Sequence, residues 1–197
     1  VARGEVTTGV VCTDPVSTNI VEYCLLAGLD YLIIDREHGV HSDERLATIC
    51  DVGRMLSFPI LLRPVDTEYS TLRHAIDKGP CGLLLPSVES AEELDRVAES
   101  IWMPPRGKRR PGGAGNYWVP DFSLESWQQG VEEHFIVLPM IETQLGLDNA
   151  AAIAAHAVTT AIAIGPYDLS HSLGYSEEML GALAGEGRGP AEAAAVA

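Results

Sequence analysis

Residues 32–39 read Leu32-Ile33-Ile34-Asp35-Arg36-Glu37-His38-Gly39, an apolar run that leads straight into an acid, a base, an acid and a histidine. A continuous Leu/Ile run suits a strand covered on both faces, the kind a parallel sheet uses. The charged half then falls at the strand's carboxyl end, where parallel α/β folds place their chemistry. A histidine three residues beyond an aspartate, on a tight turn closed by glycine, can be oriented by that aspartate and held in one tautomer. The alternative is a surface turn whose charges are merely solvated, so the decision falls to the rest of the chain.

Outward from this stretch the same rhythm repeats. Upstream, residues 6–12 predict a first strand. Thr18 or Asn19 then caps a helix with Ile20, Val21, Cys24 and Leu25 at helical spacing, and Gly28 stops it. Downstream, a helix is expected over 43–56 and a third strand over 58–65 (FPILLRPV), with Arg63 near its far end. A short helix over 71–78 precedes a fourth strand at 82–85. Ser90-Ala91-Glu92-Glu93 is a capping box that launches a helix through Ala98. A helix over 123–129, a fifth strand over 135–141 (FIVLPMI), an alanine-rich helix over 147–157 and a sixth strand over 159–164 complete the series. Strand-helix units in succession with short connections mean a parallel α/β fold. Regular spacing without a G-x-G-x-x-G favours a (β/α)8 TIM barrel over a dinucleotide-binding sheet. No apolar run after Tyr175 resembles a seventh or eighth strand, so the barrel is expected to lack its last one or two strands, which would expose sheet edges. The chain reads as one domain over 1–197, with 175–197 atypical or truncated.

At 197 residues the chain is long enough for one well-buried domain. Its net charge of −15 argues against general nucleic-acid or anionic-membrane binding, since both need a cationic footprint. Cys12, Cys24, Cys50 and Cys81 never form C-x-x-C and sit mostly in apolar settings, as reduced thiols do. With no apolar stretch of membrane-spanning length and no signal-peptide pattern, a cytoplasmic protein is expected.

Strand carboxyl ends carry Asp35, Glu37 and His38, then Arg63, Glu142 and Asp168. In a barrel these ends converge on one mouth. Two carboxylates on neighbouring strand ends suit a hard divalent cation that keeps several waters, Mg²⁺ or Mn²⁺ before a structural zinc. Helix N-capping is the plainer explanation of Glu142 and Asp168. Arg63, inside an apolar strand, needs a charged partner: structurally Asp35 or Glu37, or functionally a substrate carboxylate. His41, His74, His134 and His156 are expected at the surface, while His171 could reach the mouth. Residues 104–121 form a long Pro/Gly loop. Its Lys108-Arg109-Arg110 run is expected to be solvated, though the glycines and Trp118 would also suit a lid or a subunit bridge.

These motifs in order (D-x-E-H-G, L-R-P-V, P-x-I-E-T, I-G-P-x-D-L-S-x-S-L-G-Y) resemble the HpcH/HpaI family of metal-dependent pyruvate aldolases over residues 9–175. The resemblance implies that His38, oriented by Asp35, manages protons with a metal-bound water, and that Arg63 holds the 2-oxo acid and stabilises an enolate oxygen. Glu142 and Asp168 would ligate Mg²⁺ or Mn²⁺, with Co²⁺ or Zn²⁺ as substitutes, and the backbone at Gly165, Pro166 and Tyr167 would border the substrate carboxylate. Met140 stands where many relatives place a glutamine beside the substrate. Arg36 is unusual inside D-x-E-H and would put a charge near the mouth. The family implies a small 2-oxo acid and an aldehyde as partners and a homo-oligomer, a hexamer built from dimers. The expected reaction is reversible cleavage of a 4-hydroxy-2-oxo acid into pyruvate and an aldehyde. Condensation of 2-oxo acids, decarboxylation of oxaloacetate, or an inactive metabolite-binding barrel are the rival readings.

Overall fold

A six-stranded, all-parallel sheet in the order β1-β2-β3-β4-β5-β6 runs through the molecule, each strand beside its sequence neighbour. The computed structural model describes residues 6–110, 112, 119 and 121–176. Along the chain these residues form β1 (Gly9–Cys12), α1 (Ile20–Leu26), β2 (Tyr31–Asp35), α2 (Asp43–Met55), β3 (Ile60–Arg63), α3 (Tyr69–Ile76) and β4 (Gly82–Leu85). There follow α4 (Ala91–Ile101), α5 (Leu124–Gly130), a 3-10 turn at Glu132–His134, β5 (Ile136–Ile141), α6 (Gln144–Asp148), α7 (Ala150–Ala155), β6 (Ala163–Ile164) and α8 (Pro166–Ser172).

Local chemistry explains the helix starts. Ser42 accepts the Arg45 backbone N–H to open α2, and Ser90 accepts that of Glu93 to open α4. The expected capping box is completed one residue upstream, because the Glu93 carboxylate takes the N–H of Glu89 instead of that of Ser90. Thr143 starts α6 by accepting from Gly146.

Strand alternation splits the apolar residues into two clusters. Leu32, Ile34, Ile60, Leu62, Leu83, Leu85, Val137 and Ile141 face the helices, where they meet Val21, Leu46, Ile49, Leu72, Leu94 and Val97. Ile33, Leu61, Leu84 and Met140 face the other way and pack on one another inside the curl of the sheet. Asp35, Arg63 and Glu142 are each two positions beyond one of these inner residues, so the same alternation turns them inward.

The sheet has the sequential order of a barrel's first six strands. Among the described residues it does not close, since β1 pairs with β2 and β6 with β5 alone. Val10, Val11 and Ile164 at its margins are exposed. The expectation that the last one or two strands are lacking falls on residues 177–197, which lie outside the described residues.

Several local expectations need correction. β1 starts at Gly9 and not at residue 6. β6 is reduced to Ala163 and Ile164, because Thr160 holds β5 partly through its hydroxyl, which accepts the Val137 N–H at 3.0 Å. The helix expected over 147–157 divides at Asn149, whose side-chain amide is held by the Glu89 carbonyl at 2.8 Å. Arg109 is not solvated but fully buried. It donates to Asp77 at 2.9 Å and lies over the Trp127 ring at 5.0 Å. His41 is also buried, its Nε2 3.3 Å from the Cys12 carbonyl oxygen. Residues 111, 113–118 and 120 of the long loop, Trp118 included, lie outside the described residues.

Candidate functional site

Asp35 and Arg63 are register partners at the ends of β2 and β3, and both side chains turn inward. They meet in a two-pronged ion pair, Arg63 Nε to Asp35 Oδ1 at 2.8 Å and Nη2 to Oδ2 at 2.6 Å. Asp35 is fully buried. It also accepts from the Thr13 hydroxyl at 2.9 Å and from the backbone N–H groups of Glu37 and His38. Burial opposes its ionisation, but the hydrogen bonds of Arg63 and Thr13 and the guanidinium charge more than offset that, lowering its pKa to about 2. The carboxylate is therefore charged at neutral pH and holds Arg63 in place. The structural pairing expected for Arg63 is present, and its Nη1 reaches on toward Glu37 Oε2 at 3.3 Å.

Glu37 is the carboxylate beside the histidine. His38 Nε2 lies 3.7 Å from Glu37 Oε2, and the imidazole is 62% exposed. Asp35, by contrast, is committed to Arg63 and Thr13, and touches His38 only through the backbone. So the turn brings Asp35 and His38 together, but the ring's acidic neighbour is Glu37. Burial pushes the Glu37 carboxyl above the ordinary range, with Glu142 and Asp35 adding to this and Arg63 and His38 opposing it. Its Oε2 is buried without a hydrogen bond of its own, a state that favours holding a proton or a positive neighbour.

Glu142 follows directly on β5 and is buried. Its Oε1 accepts from the Ser87 backbone N–H at 2.6 Å and the Ser87 hydroxyl at 2.8 Å. Ser87 adopts a left-handed φ of 47°, unusual without glycine, and this turns its N–H and hydroxyl onto the same oxygen. Oε2 of Glu142 faces Gly165, where an added Cβ would come within 2.5 Å of it. Glycine is needed there because the start of α8 crosses directly over the carboxylate. Asp168 follows in the first turn of α8 and is exposed. Pro166 occupies the first position of α8, Tyr167 is exposed, and the Tyr167 ring meets His171 edge-on at 4.7 Å. Met140 is buried in the inner apolar cluster just below Glu142.

A cation fits this donor set. One Glu142 oxygen is fixed by Ser87 and the other is aimed at the start of α8. Asp35, Glu37 and Glu142 together outweigh Arg63, which leaves the rim with excess negative charge and only oxygen donors. Among the described residues no three or more His, Cys, Asp and Glu side chains come together as a group that could hold a metal ion.

Thr13 and Ser87 were not singled out in the sequence. Each stands directly beyond a strand end, Thr13 after β1 and Ser87 after the Leu85-Pro86 end of β4. That position was the available signal.

Comparison with known proteins places the chain. The sequence model described as HpcH/HpaI aldolase/citrate lyase matches residues 15–183. A hydroxypyruvate/pyruvate aldolase of Deinococcus radiodurans is 32% identical over 78% of this chain and 56% of its own length. A 2-keto-3-deoxy-L-rhamnonate aldolase of Shigella sonnei is 30% identical over 89% of this chain and 65% of its own length. The chain thus spans less than two thirds of either relative. The crystal structure of an HpcH/HpaI aldolase from Desulfitobacterium hafniense superposes with a TM-score of 0.80 at 24% identity, covering 95% of this chain and 77% of that one. The shared fold is therefore the parallel, six-stranded α/β sheet with its helices.

Proposed function

Because the chain belongs to the HpcH/HpaI aldolase/citrate lyase family, we propose that it is a metal-dependent carbon-carbon lyase that reversibly cleaves a 4-hydroxy-2-oxo acid into pyruvate and an aldehyde. The observation that carries this reading is the meeting of Asp35, Glu37, Arg63 and Glu142 on one rim, with His38 at its edge.

Each residue has a task. Glu142 and Asp168 would hold Mg²⁺ or Mn²⁺, which when bound supplies Lewis-acid stabilisation of charge on the 2-oxo acid. Arg63, locked by Asp35, keeps a fixed positive charge beside the 2-oxo group and needs no reorganisation as negative charge develops there. His38 takes the proton of the 4-hydroxyl group. The C3–C4 bond then breaks, its electron pair moves to C3 of the pyruvate fragment, and the aldehyde leaves. A proton returned to C3 completes pyruvate. Glu37 stands beside His38 to stabilise the imidazolium that forms. Met140 walls the inner side of the site with apolar surface, and the backbone at Gly165, Pro166 and Tyr167 borders the substrate carboxylate.

A homo-oligomer and a reducing cytoplasmic setting belong to the same reading. All four cysteines are free, and burial pushes the Cys50 thiol up to about 12 and that of Cys81 to about 11, so both stay protonated and unreactive. No helix among the described residues is long and apolar enough to cross a membrane.

The test is pyruvate release from a panel of 4-hydroxy-2-oxo acids, with Mn²⁺ and with a chelator. Metal-dependent release supports the lyase. Carbon dioxide release from oxaloacetate without aldehyde formation would move the assignment to the decarboxylase.

A further inference from the structure

The alternation that turns Asp35 into the mouth turns Arg36 out of it. Arg36 was expected to bring a charge to the mouth. Instead its Nη1 lies 2.7 Å from Asp43 Oδ1, at the start of α2. Lys78 Nζ approaches the same oxygen at 3.2 Å, and His74 Nε2 lies 3.4 Å from Asp43 Oδ2. His74 and Lys78 also touch each other, Nδ1 to Nζ at 3.0 Å. Arg73 adds a further cation from α3, exposed and paired with no carboxylate among the described residues. Asp43 is the carboxylate paired with both Arg36 and Lys78, and Asp77 adds a smaller pull on Lys78.

These cations line a cavity of about 470 Å³ between α2 and α3, beneath the connection from β3. Helix ends explain part of the arrangement, since Arg73 and His74 sit in the last turn of α3 and Asp43 in the first turn of α2. Lys78, only 6% exposed, also belongs to that helix end, since its ammonium donates to the His74 carbonyl oxygen at 2.9 Å, whereas Arg36 comes from another element and is left unexplained by it. Burial pushes the Lys78 ammonium below its ordinary range while Asp43 holds it up. Excess positive charge in a half-enclosed space is relieved by an anion. In a chain of net charge −15 the pocket is not part of a generally basic surface.

The rest of the cavity indicates what the anion carries. Leu46, Leu62, Pro64 and Val65 form an apolar wall, and Ser70 and Thr71 supply hydroxyl groups. Guanidinium and ammonium groups with hydroxyls suit a tetrahedral oxyanion. A volume of this size, part apolar, suits a small organic ligand better than a bare ion. We propose that the α2–α3 cavity binds a phosphate monoester with a short carbon body, the phosphate among Arg36, Arg73 and Lys78 and the carbons against the apolar wall. None of the rim residues assigned to lyase chemistry lines this cavity, so the proposal stands apart from that assignment.

Isothermal titration of glycerol 3-phosphate into the chain, at fixed ionic strength with excess chelator, tests it. Saturable binding is expected, tighter than that of inorganic phosphate. Arg73→Glu and Lys78→Met should each weaken it by at least about tenfold. Glu142→Gln should leave it within about twofold, which separates this cavity from the mouth. Arg73 is exposed, so its variant keeps the test valid if Lys78→Met fails to fold. Absence of saturable binding, unchanged affinity in Arg73→Glu, or loss in Glu142→Gln would overturn the proposal. Malonate binding as tightly as glycerol 3-phosphate would overturn the phosphate class.

Discussion

Two charge clusters flank the end of β2, and they have opposite composition. Inside the curl, one guanidinium, Arg63, faces Asp35, Glu37 and Glu142. Outside it, one carboxylate, Asp43, faces Arg36, His74 and Lys78. Adjacent residues, Asp35 and Arg36, feed the two clusters because successive strand side chains point to opposite faces. The inner cluster has too few cations and the outer too few anions. Each would be stabilised by a ligand of the opposite sign, the proposed metal ion within and the proposed oxyanion without. Burial separates them as well: Asp35 is sealed while Asp43 is half exposed. Pairing inside should therefore be worth far more than pairing outside.

The largest expected effect breaks the inner pair. Arg63→Ala leaves Asp35 charged and buried without its cation, only Thr13 and two backbone N–H groups remaining, which should lower unfolding stability by about 3–5 kcal/mol as well as abolish turnover. Urea denaturation measures the first effect and a pyruvate assay the second. Arg63→Lys keeps the charge without the fork and should fold better while remaining severely impaired. If Arg63→Ala unfolds at the wild-type urea concentration, the inner cluster is no more than a surface pair. Next comes Glu142→Gln, which keeps the shape and, with its amide oxygen at the Oε1 position, both Ser87 contacts, but removes the charge. Turnover should fall by about 10²–10³-fold, and the dependence on Mn²⁺ concentration should flatten. An unaltered metal titration would remove Glu142 from the ligand set.

Most of this inner cluster was legible in the sequence, because it rests on local pattern. Asp35, Arg63 and Glu142 each end an apolar run, and period-two alternation places all three on one face whatever the helices do. What the pattern could not show was which acid serves which base. Asp35 precedes His38 at a spacing that suggests a dyad, yet Arg63, 28 residues away, captures it. Arg109 was unreadable for the same reason: its burial depends on Asp77 and Trp127, contributed by segments far along the chain in both directions. The shortness of β6 was hidden too, since Thr160 has strand propensity and donates its N–H to the Val137 carbonyl, but answers the Val137 N–H with its hydroxyl in place of a backbone carbonyl.

Acid sharpens the comparison between the clusters. Asp35 has its pKa lowered in the fold to about 2, below the ordinary carboxylate value of 3.8. Its contribution to stability is therefore fully present above about pH 4 and is lost as pH falls toward about 2, with a size on the order of 2 kcal/mol. Glu37 has the opposite sign, because a carboxyl raised by burial binds its proton more readily folded than unfolded and so favours the fold as pH falls. Urea midpoints measured from pH 7 to pH 2 should drop on the acid limb in the wild type. Asp35→Asn should start lower and show a flatter limb. A limb of unchanged steepness in that variant would mean the acid sensitivity lies elsewhere.

The smallest expected effect concerns Ser87, which touches the proposed metal ligand without reaching the substrate. Its hydroxyl and N–H both fix Glu142 Oε1, and its left-handed backbone is the strained route by which they do so. Ser87→Ala removes the hydroxyl and keeps the strain. It should cost about 1 kcal/mol of stability and weaken Mn²⁺ affinity by about tenfold, with kcat at saturating metal little changed. Ser87→Gly removes the hydroxyl and relieves the backbone, so its stability should recover while its metal affinity stays as low as that of Ser87→Ala. The split between the two readouts separates orientation of Glu142 from simple folding strain. If stability and Mn²⁺ affinity rise and fall together in the two variants, Ser87 only shapes the turn, and Glu142 is oriented by its own strand.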